Sequence, residues 1–408
     1  MLKALPKFDE ILLAIAIALL ATTQASADFR ALYAFEGEND GGFPRSRLAL
    51  DHTGNLYGTT SIYGATDNGT IFRVSAQGNL ATLYSFGSKN SNGTGYLPAP
   101  SALFMDETGT LFGTTPQTIS TGKNHCTADC GTVFKLTPDG EEVALHTFEN
   151  RMVTDGKGPV GRLALDDAGN FYGATQNGGS KKICYGGGCG TVFKIAPDGT
   201  ETILHVFTGG RDTGFVPQSG LVRDQAGNLY GTVDIYQGSA VYKIAPDGSA
   251  TVTRLEFGGA VGDLTIDKKG NLYGMQQSGE GGGIIYIFTP EGKQTTLYRF
   301  YYGSTDGSEL AGGLLRDKAG NLYGVTADGG DLNCKKEVGA YGCGTVFKLA
   351  PDGTKTTLYA FHGGNDGFYP AGGVVADKYG NLYGTTVYGG DNTQCGSLGC
   401  GTVFEIAP

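Results

Sequence analysis

The segment Asp51-His52-Thr53-Gly54-Asn55-Leu56-Tyr57-Gly58 recurs, with small changes, beginning at Asp106, Asp166, Asp224, Asp267, Asp317 and Asp377. A period of about 54 residues marks stacked supersecondary units, each of which needs its neighbours to bury its apolar face. For a chain of 408 residues, length alone would suggest two or three domains. A repeat array overrides that expectation, because its units form one continuous body.

Each unit reads as four short strands. In the last complete passage residues 372–377 form the first, 380–386 the second and 401–406 the third, and the fourth has the form Thr356-Thr357-Leu358-Tyr359-Ala360-Phe361. Short runs of Val, Leu, Phe, Tyr and Thr, punctuated by Gly-Asn or Pro-Asp-Gly, are how hairpin-linked antiparallel sheet looks in sequence. The pattern predicts an all-β fold, a seven-bladed β-propeller of four-stranded antiparallel blades. The two ends test this. Arg30 to Phe35 is a fourth strand without the first three, and Gly401 to Ile406 is a third strand without its fourth. The N-terminal strand is therefore predicted to complete the last blade and close the ring. An open solenoid would instead need distinct polar caps.

Lys3 and Lys7 precede an apolar run from Ile11 to Ala21, and Ala25-Ser26-Ala27 follows as a small-residue cleavage pattern. Residues 1–27 are read as a signal peptide and residues 28–408 as the propeller domain. The protein is expected to be exported, secreted or periplasmic, with no membrane span after cleavage, and to be a monomer. A net charge of −10 repels phosphate backbones and argues against a nucleic-acid partner.

The unit resembles the GloVer tandem repeat of bacterial exported proteins, on elements such as Gly320-Asn321-Leu322-Tyr323-Gly324 and Gly344-Thr345-Val346-Phe347-Lys348-Leu349. The resemblance covers roughly Phe29 to Pro408. It implies an extracytoplasmic repeat protein and carries no activity or catalytic residues with it. Members often have a C-terminal sorting anchor; this chain ends inside its last repeat, so the resemblance does not extend to an anchor.

The first-to-second turns are near copies of one another, and the third-to-fourth turns are mostly Pro-Asp-Gly, at Pro138, Pro197, Pro246 and Pro351. All large length differences fall in the second-to-third and fourth-to-first connections, which share one face of a propeller. Loops held by a rigid scaffold are the usual place for binding, so this is the candidate face. Units two, three, six and seven each carry two cysteines in the second-to-third loop: Cys126 and Cys130, Cys184 and Cys189, Cys334 and Cys343, Cys395 and Cys400. In an exported protein these read as four local disulfides, each closing a small loop and worth about 2 kcal/mol. Bridges between adjacent loops stay open, as does zinc bound by paired loops.

The fourth-to-first connections carry a recurrent acidic turn at Asp40, Asp155, Asp306 and Asp366, with Asp212 in a looser version. Brought toward the channel, these could bind calcium or a polyhydroxylated ligand; otherwise Asp-Gly simply makes a turn. Beside them lie Phe43, Phe215, Tyr301, Tyr302, Phe368 and Tyr369, suited to sugar rings or extended peptides, or to packing under the loops. His362 follows the last fourth strand on the same face. His146 and His205 stand where other units have Tyr33, Tyr84, Tyr298 and Tyr359, and read as structural substitutes. No pair of histidines has metal-ligand spacing, and no phosphate loop or Gly-x-Ser-x-Gly elbow occurs. No cofactor, catalytic residue or metal site is expected from these patterns, calcium at the Asp turns excepted. The expectation is a binding or interaction module for a cell-surface or extracellular glycan or peptide. The rivals are an extracytoplasmic propeller enzyme, of metal-dependent lactonase or polysaccharide lyase type, and a purely structural surface protein.

Overall fold

The computed structural model describes residues 28–87, 103–116, 129–149, 155–179, 184, 187–210, 213–277, 282–334, 341–390 and 393–407; the predicted signal peptide lies outside them. Their strands gather into seven separate antiparallel sheets, the seven blades of a propeller. Blade seven joins Phe368–Ala376, Leu382–Tyr388 and Thr402–Ala407 to a strand from the other end of the chain, Asp28–Ala34. The two terminal strands run antiparallel, with Asp28 opposite Ala407 and Ala34 opposite Thr402. The ring closes as the offset of the termini predicts. Phe29 then stacks on Tyr359 of blade six at 4.1 Å, so the closing strand also joins two neighbouring blades.

The repeated letters follow from how blades pack. The Phe of Gly-Thr-Val-Phe lies on the third strand and is fully buried in five blades, as Phe72, Phe134, Phe193, Phe347 and Phe404. Its ring seats over the glycine that ends Leu-Tyr-Gly: a Cβ on Gly58, Gly173, Gly324 or Gly384 would strike the ring of Phe72, Phe193, Phe347 or Phe404. From the other side comes the Phe that ends the preceding blade's fourth strand. The pairs Phe35–Phe72, Phe148–Phe193, Phe300–Phe347 and Phe361–Phe404 have ring centroids 5.0, 5.1, 5.2 and 5.2 Å apart. Tilted or edge-on rings at this spacing are a favourable aromatic geometry. Tyr242 and Tyr286 replace the Phe in blades four and five.

The leading Asp of the repeat holds the first-to-second turn. Asp51 Oδ1 accepts the N–H groups of Thr53 and Asn55 at 2.8 and 2.9 Å, while Oδ2 accepts Asn55 Nδ2 and the Tyr57 hydroxyl at 2.8 and 3.1 Å. The same set recurs at Asp166, Asp224, Asp267, Asp317 and Asp377. Burial works against ionisation of Asp51, but the bonds from Asn55 and Thr53 outweigh it and bring the carboxyl down to about 2. Asp166 is likewise held at about 2. A carboxyl held low in the folded state adds stability that is complete above its unfolded pKa and is lost as pH falls through the folded value. Urea midpoints should therefore fall between about pH 4 and pH 2. Asp51→Asn should lower the midpoint at neutral pH and flatten part of that acid limb.

First strands line the axis. Midway along it, glycines let neighbouring first strands meet backbone to backbone. A Cβ on Gly161 would strike the Gly220 backbone, one on Gly262 the Gly312 carbonyl, and one on Gly372 the Ser46 carbonyl. Pairing with the second strand shifts register there, between Val160 and Ala164, Val261 and Thr265, Ala311 and Leu315, and Pro370 and Val374. Because of this bulge the last first strand starts at Phe368 rather than at residue 372, its added part reaching the loop face.

Three local disulfides form among the described residues, Cys184–Cys189, Cys334–Cys343 and Cys395–Cys400, with Cα separations of 5.4, 5.8 and 5.2 Å. Zinc held by those six thiolates is thereby excluded; Cys126 lies outside the described residues. The bridges face the fourth-to-first connections, where a Cβ on Gly37 would strike both sulfurs of Cys395–Cys400. The carbonyl of each second cysteine accepts a backbone N–H from the next blade's first strand: Phe43 on Cys400 at 2.8 Å, Val216 on Cys189 at 2.8 Å, Tyr369 on Cys343 at 3.1 Å. The cysteine loops thus stitch blade to blade.

Candidate functional site

Above the glycine waist, on the cysteine-loop side, the axis opens into a cavity of about 530 Å³. Its polar lining comes from six blades: Arg45 and Arg47, Gln176, Gln218, Asp263, Glu309 and Tyr369. Arg47 also borders the cavities on the tight-turn side, so it stands at the waist itself. Burial and the like charge of Arg162 bring its guanidinium down to about 10, with Asp263 opposing them. The Asp263 carboxylate is tied down by its own ring, accepting Gly220 N at 2.6 Å and Arg162 N at 3.3 Å. Glu309 accepts the Tyr369 hydroxyl at 3.1 Å. Burial first, then Glu309, raises that phenol to about 12, while Arg45 pulls it the other way. Arg45 and Arg47 leave the pocket with two guanidinium groups two residues apart, an arrangement that suits a carboxylate.

The mouth is built on unusual backbone. Phe43, Val216, Glu309 and Tyr369 hold equivalent places in their first strands and all have positive φ, at 56°, 54°, 55° and 62°. For β-branched or bulky residues this conformation is strained and persists only where surroundings fix it. The hydrogen bonds from the cysteine carbonyls do so for Phe43, Val216 and Tyr369.

The sequence candidates fall into three places. Phe43, Phe368 and Tyr369 come together at the mouth between blades seven and one, around Tyr388, at 5.6, 5.2 and 6.0 Å. Tyr63 packs on Phe43 from outside at 6.0 Å. Tyr301 and Tyr302 lie apart, 67% and 50% exposed, and Tyr302 meets Tyr341 of the blade-six cysteine loop edge-on at 5.3 Å. Phe215 packs on the core cluster that holds Cys189 and Phe207. Asp212 lies outside the described residues.

The Asp turns sit at the periphery, because the fourth strand from which each departs is the outermost of its blade. Asp40 accepts the Tyr33 hydroxyl and the N–H groups of Glu36 and Gly37. Asp366 accepts the Tyr359 hydroxyl at 2.7 Å and His362 N at 3.0 Å, and His362 Nδ1 pairs with Asp331 at 2.8 Å. Asp306 takes the Tyr298 hydroxyl and the Lys355 ammonium, whose side chain is only 2% exposed. Burial, then the Asp306 hydrogen bond, raises Tyr298 to about 12. At the equivalent place between blades two and three stand His146, Asp155 and Glu201. Burial raises Glu201 to about 7, the His146 charge countering it and Asp155 adding to it.

The arginines, Asp263, Tyr63 and Tyr388 were not among the sequence candidates. Aligning first strands unit by unit reveals the signal: Arg47, Arg162 and Asp263 occupy the place that is glycine at Gly220, Gly313 and Gly373. Elsewhere the slot holds glycine or Ala102, so a charged side chain there is the exception at the axis; Asp263 uses it to accept the Gly220 and Arg162 N–H groups.

A model of the Gloeobacter/Verrucomicrobia repeat matches residues 18–240, 188–335 and 236–408, three overlapping passages that span the described chain. The chain belongs to this repeat family. Curated protein sequences give no match to this Gloeobacter/Verrucomicrobia repeat protein. Solved structures of similar shape include a luciferin-regenerating enzyme (15% identity, TM-score 0.43, covering 76% of this chain and 91% of the other). A protein from Lactobacillus plantarum matches at 16% identity and TM-score 0.47, over 77% and 84% of the two chains. TolB from Acinetobacter baumannii matches at 10% identity and TM-score 0.42, over 75% and 63%. In this Gloeobacter/Verrucomicrobia repeat chain the most regular letters serve blade packing and turns, as the Asp51 and Phe347 networks do.

Proposed function

We propose that this is an exported, monomeric binding module, secreted or periplasmic, whose axial pocket on the cysteine-loop face takes an acidic glycan. The reading is carried by Arg45 and Arg47, which share one cavity while the acids that line it with them, Asp263 and Glu309, are engaged by Gly220, Arg162 and Tyr369. The Phe43, Tyr369 and Tyr388 rings beside the mouth offer faces for sugar rings. The local disulfides suit an oxidising compartment, and no helix of the described residues is long and apolar enough to cross a membrane. The enzyme alternative asks for several Asp or His side chains meeting over the channel. The one His-containing acidic trio among the described residues is at the outer edge instead.

Isothermal titration of the mature protein with an oligouronate, the matching neutral oligosaccharide and an acidic peptide tests this. The oligouronate should bind and the neutral sugar should not. Arg45→Ala should weaken binding roughly 10- to 100-fold, the loss of one charge-assisted contact, without moving the thermal midpoint. Preference for the peptide would transfer the site to a peptide ligand. Equal affinity of Arg45→Ala and the unaltered protein, or no binding of any acidic ligand, would overturn the proposal and put the scaffold reading ahead.

A further inference from the structure

Three blade interfaces share one outer socket, formed by the aromatic or His of a fourth strand, the Asp of the following connection, and the residue of the next fourth strand that pairs with the end of its third strand, as Phe29 does with Ile406, Lys355 with Leu349 and Glu201 with Ile195. Between blades six and seven it holds Tyr359, Asp366 and Phe29, with Phe29 stacked on Tyr359 at 4.1 Å. Between blades five and six it holds Tyr298, Asp306 and Lys355. The Lys355 ammonium lies against the Asp306 side chain and donates to the Asp306 carbonyl at 2.6 Å and to Thr357 Oγ1 at 2.7 Å. This socket therefore accepts a buried positive charge between two blades.

Between blades two and three the same three places carry His146, Asp155 and Glu201. His replaces the Tyr, and a carboxylate stands where the sister socket has its ammonium. His146 Nε2 lies 3.9 Å from Asp155 Oδ1 and 3.6 Å from Glu201 Oε2. Those separations are too long for hydrogen bonds between these atoms. The shorter equals the upper end of the ligand-to-ligand edge, about 3.3–3.6 Å, of a tetrahedron drawn with zinc–nitrogen and zinc–oxygen bonds, and the longer lies just beyond it; one donor atom from each of the three residues lies within 4.8 Å of the other two. The side chains are 19%, 8% and 16% exposed, so the three donors are largely enclosed.

We propose that His146, Asp155 and Glu201 bind one divalent first-row metal ion of the zinc class, through one imidazole nitrogen and two carboxylates, with water completing the shell. The ligands come from the blade-two outer strand Glu142–Glu149, the connection after it, and the blade-three outer strand Glu201–Val206. The ion cross-links two blades where Lys355 does so by charge and Phe29 by stacking. One imidazole among oxygen donors suits zinc, manganese or cobalt better than calcium, which takes oxygen ligands throughout.

The test uses the mature protein with its disulfides intact, so that no thiol competes. Titration with Co²⁺ should give visible d–d absorption saturating at one equivalent, and Zn²⁺ should displace it and raise the thermal midpoint. Two variants rebuild sister sockets and should fold: Glu201→Lys supplies the ammonium seen at Lys355, and His146→Tyr the residue found at Tyr298 and Tyr359. Each should keep a midpoint near that of the metal-free protein and lose metal affinity by more than the roughly 10- to 100-fold that outer-shell changes cost. No stoichiometric Co²⁺ or Zn²⁺ binding by the unaltered protein would overturn the proposal. So would unchanged affinity in a folded Glu201→Lys variant.

Discussion

Deleting residues 28–35 should abolish the cooperative fold rather than trim its midpoint. The strand supplies backbone partners along Thr402–Ala407, from Asp28 opposite Ala407 to Ala34 opposite Thr402. Without it that strand becomes an exposed sheet edge, a template for pairing with other chains. Phe29 leaves its stack on Tyr359 and its contacts with Phe361 and Phe404, and Leu32 leaves a core cluster that spans blades seven and one. A ring with one incomplete blade also loses the geometric constraint that holds the other interfaces shut. Residues 36–408 should therefore elute as aggregate and melt broadly, beside a sharp transition for 28–408. A synthetic peptide of residues 28–35 added during refolding should restore the sharp melt. A truncated protein with the melting curve of the intact one would refute the closure argument.

Phe347→Ala should cost about 3–5 kcal/mol, the range for emptying a large buried aromatic site. The ring is fully buried against Phe300 of the preceding blade and over Gly324. The cavity would be walled by backbone on one side and cannot easily collapse. Phe347→Tyr supplies the contrast, because Tyr242 and Tyr286 already occupy this place in two other blades with their hydroxyls over Gly231 and Gly274. Its cost should stay at about 1 kcal/mol. Urea midpoints of the two variants measure the difference, and similar losses would mean the seat is not specific for ring shape.

The fold could be read from the sequence because each repeated letter has one local job. Asp51 and Asn55 set a turn, Gly58 makes room for Phe72, and the offset between Arg30 and Gly401 dictates closure. The pairing of the cysteines could be narrowed only to their loops, and the bridges at Cys184, Cys334 and Cys395 proved local. The site was harder to read, for reasons of distance. Asp40, Asp306 and Asp366 share a face with the pocket, but their turns leave the outermost strand, so they answer Tyr33, Tyr298 and Tyr359 at the rim. Arg47 and Asp263 are far apart in sequence and meet only because two first strands converge on the axis. His146, Asp155 and Glu201 come from three segments, so no spacing rule for metal ligands could gather them.

The antiparallel meeting of Asp28 with Ala407 has one more implication. Elsewhere in the ring a third strand reaches its fourth through a short turn such as Pro351-Asp352-Gly353. A linker of that length from Ala407 to Asp28 would turn blade seven into an ordinary blade, and the chain could then be reopened at another third-to-fourth turn. The protein is thus suited to circular permutation. Moving the opening from blade to blade would rank the seven interfaces by how much each relies on a continuous chain.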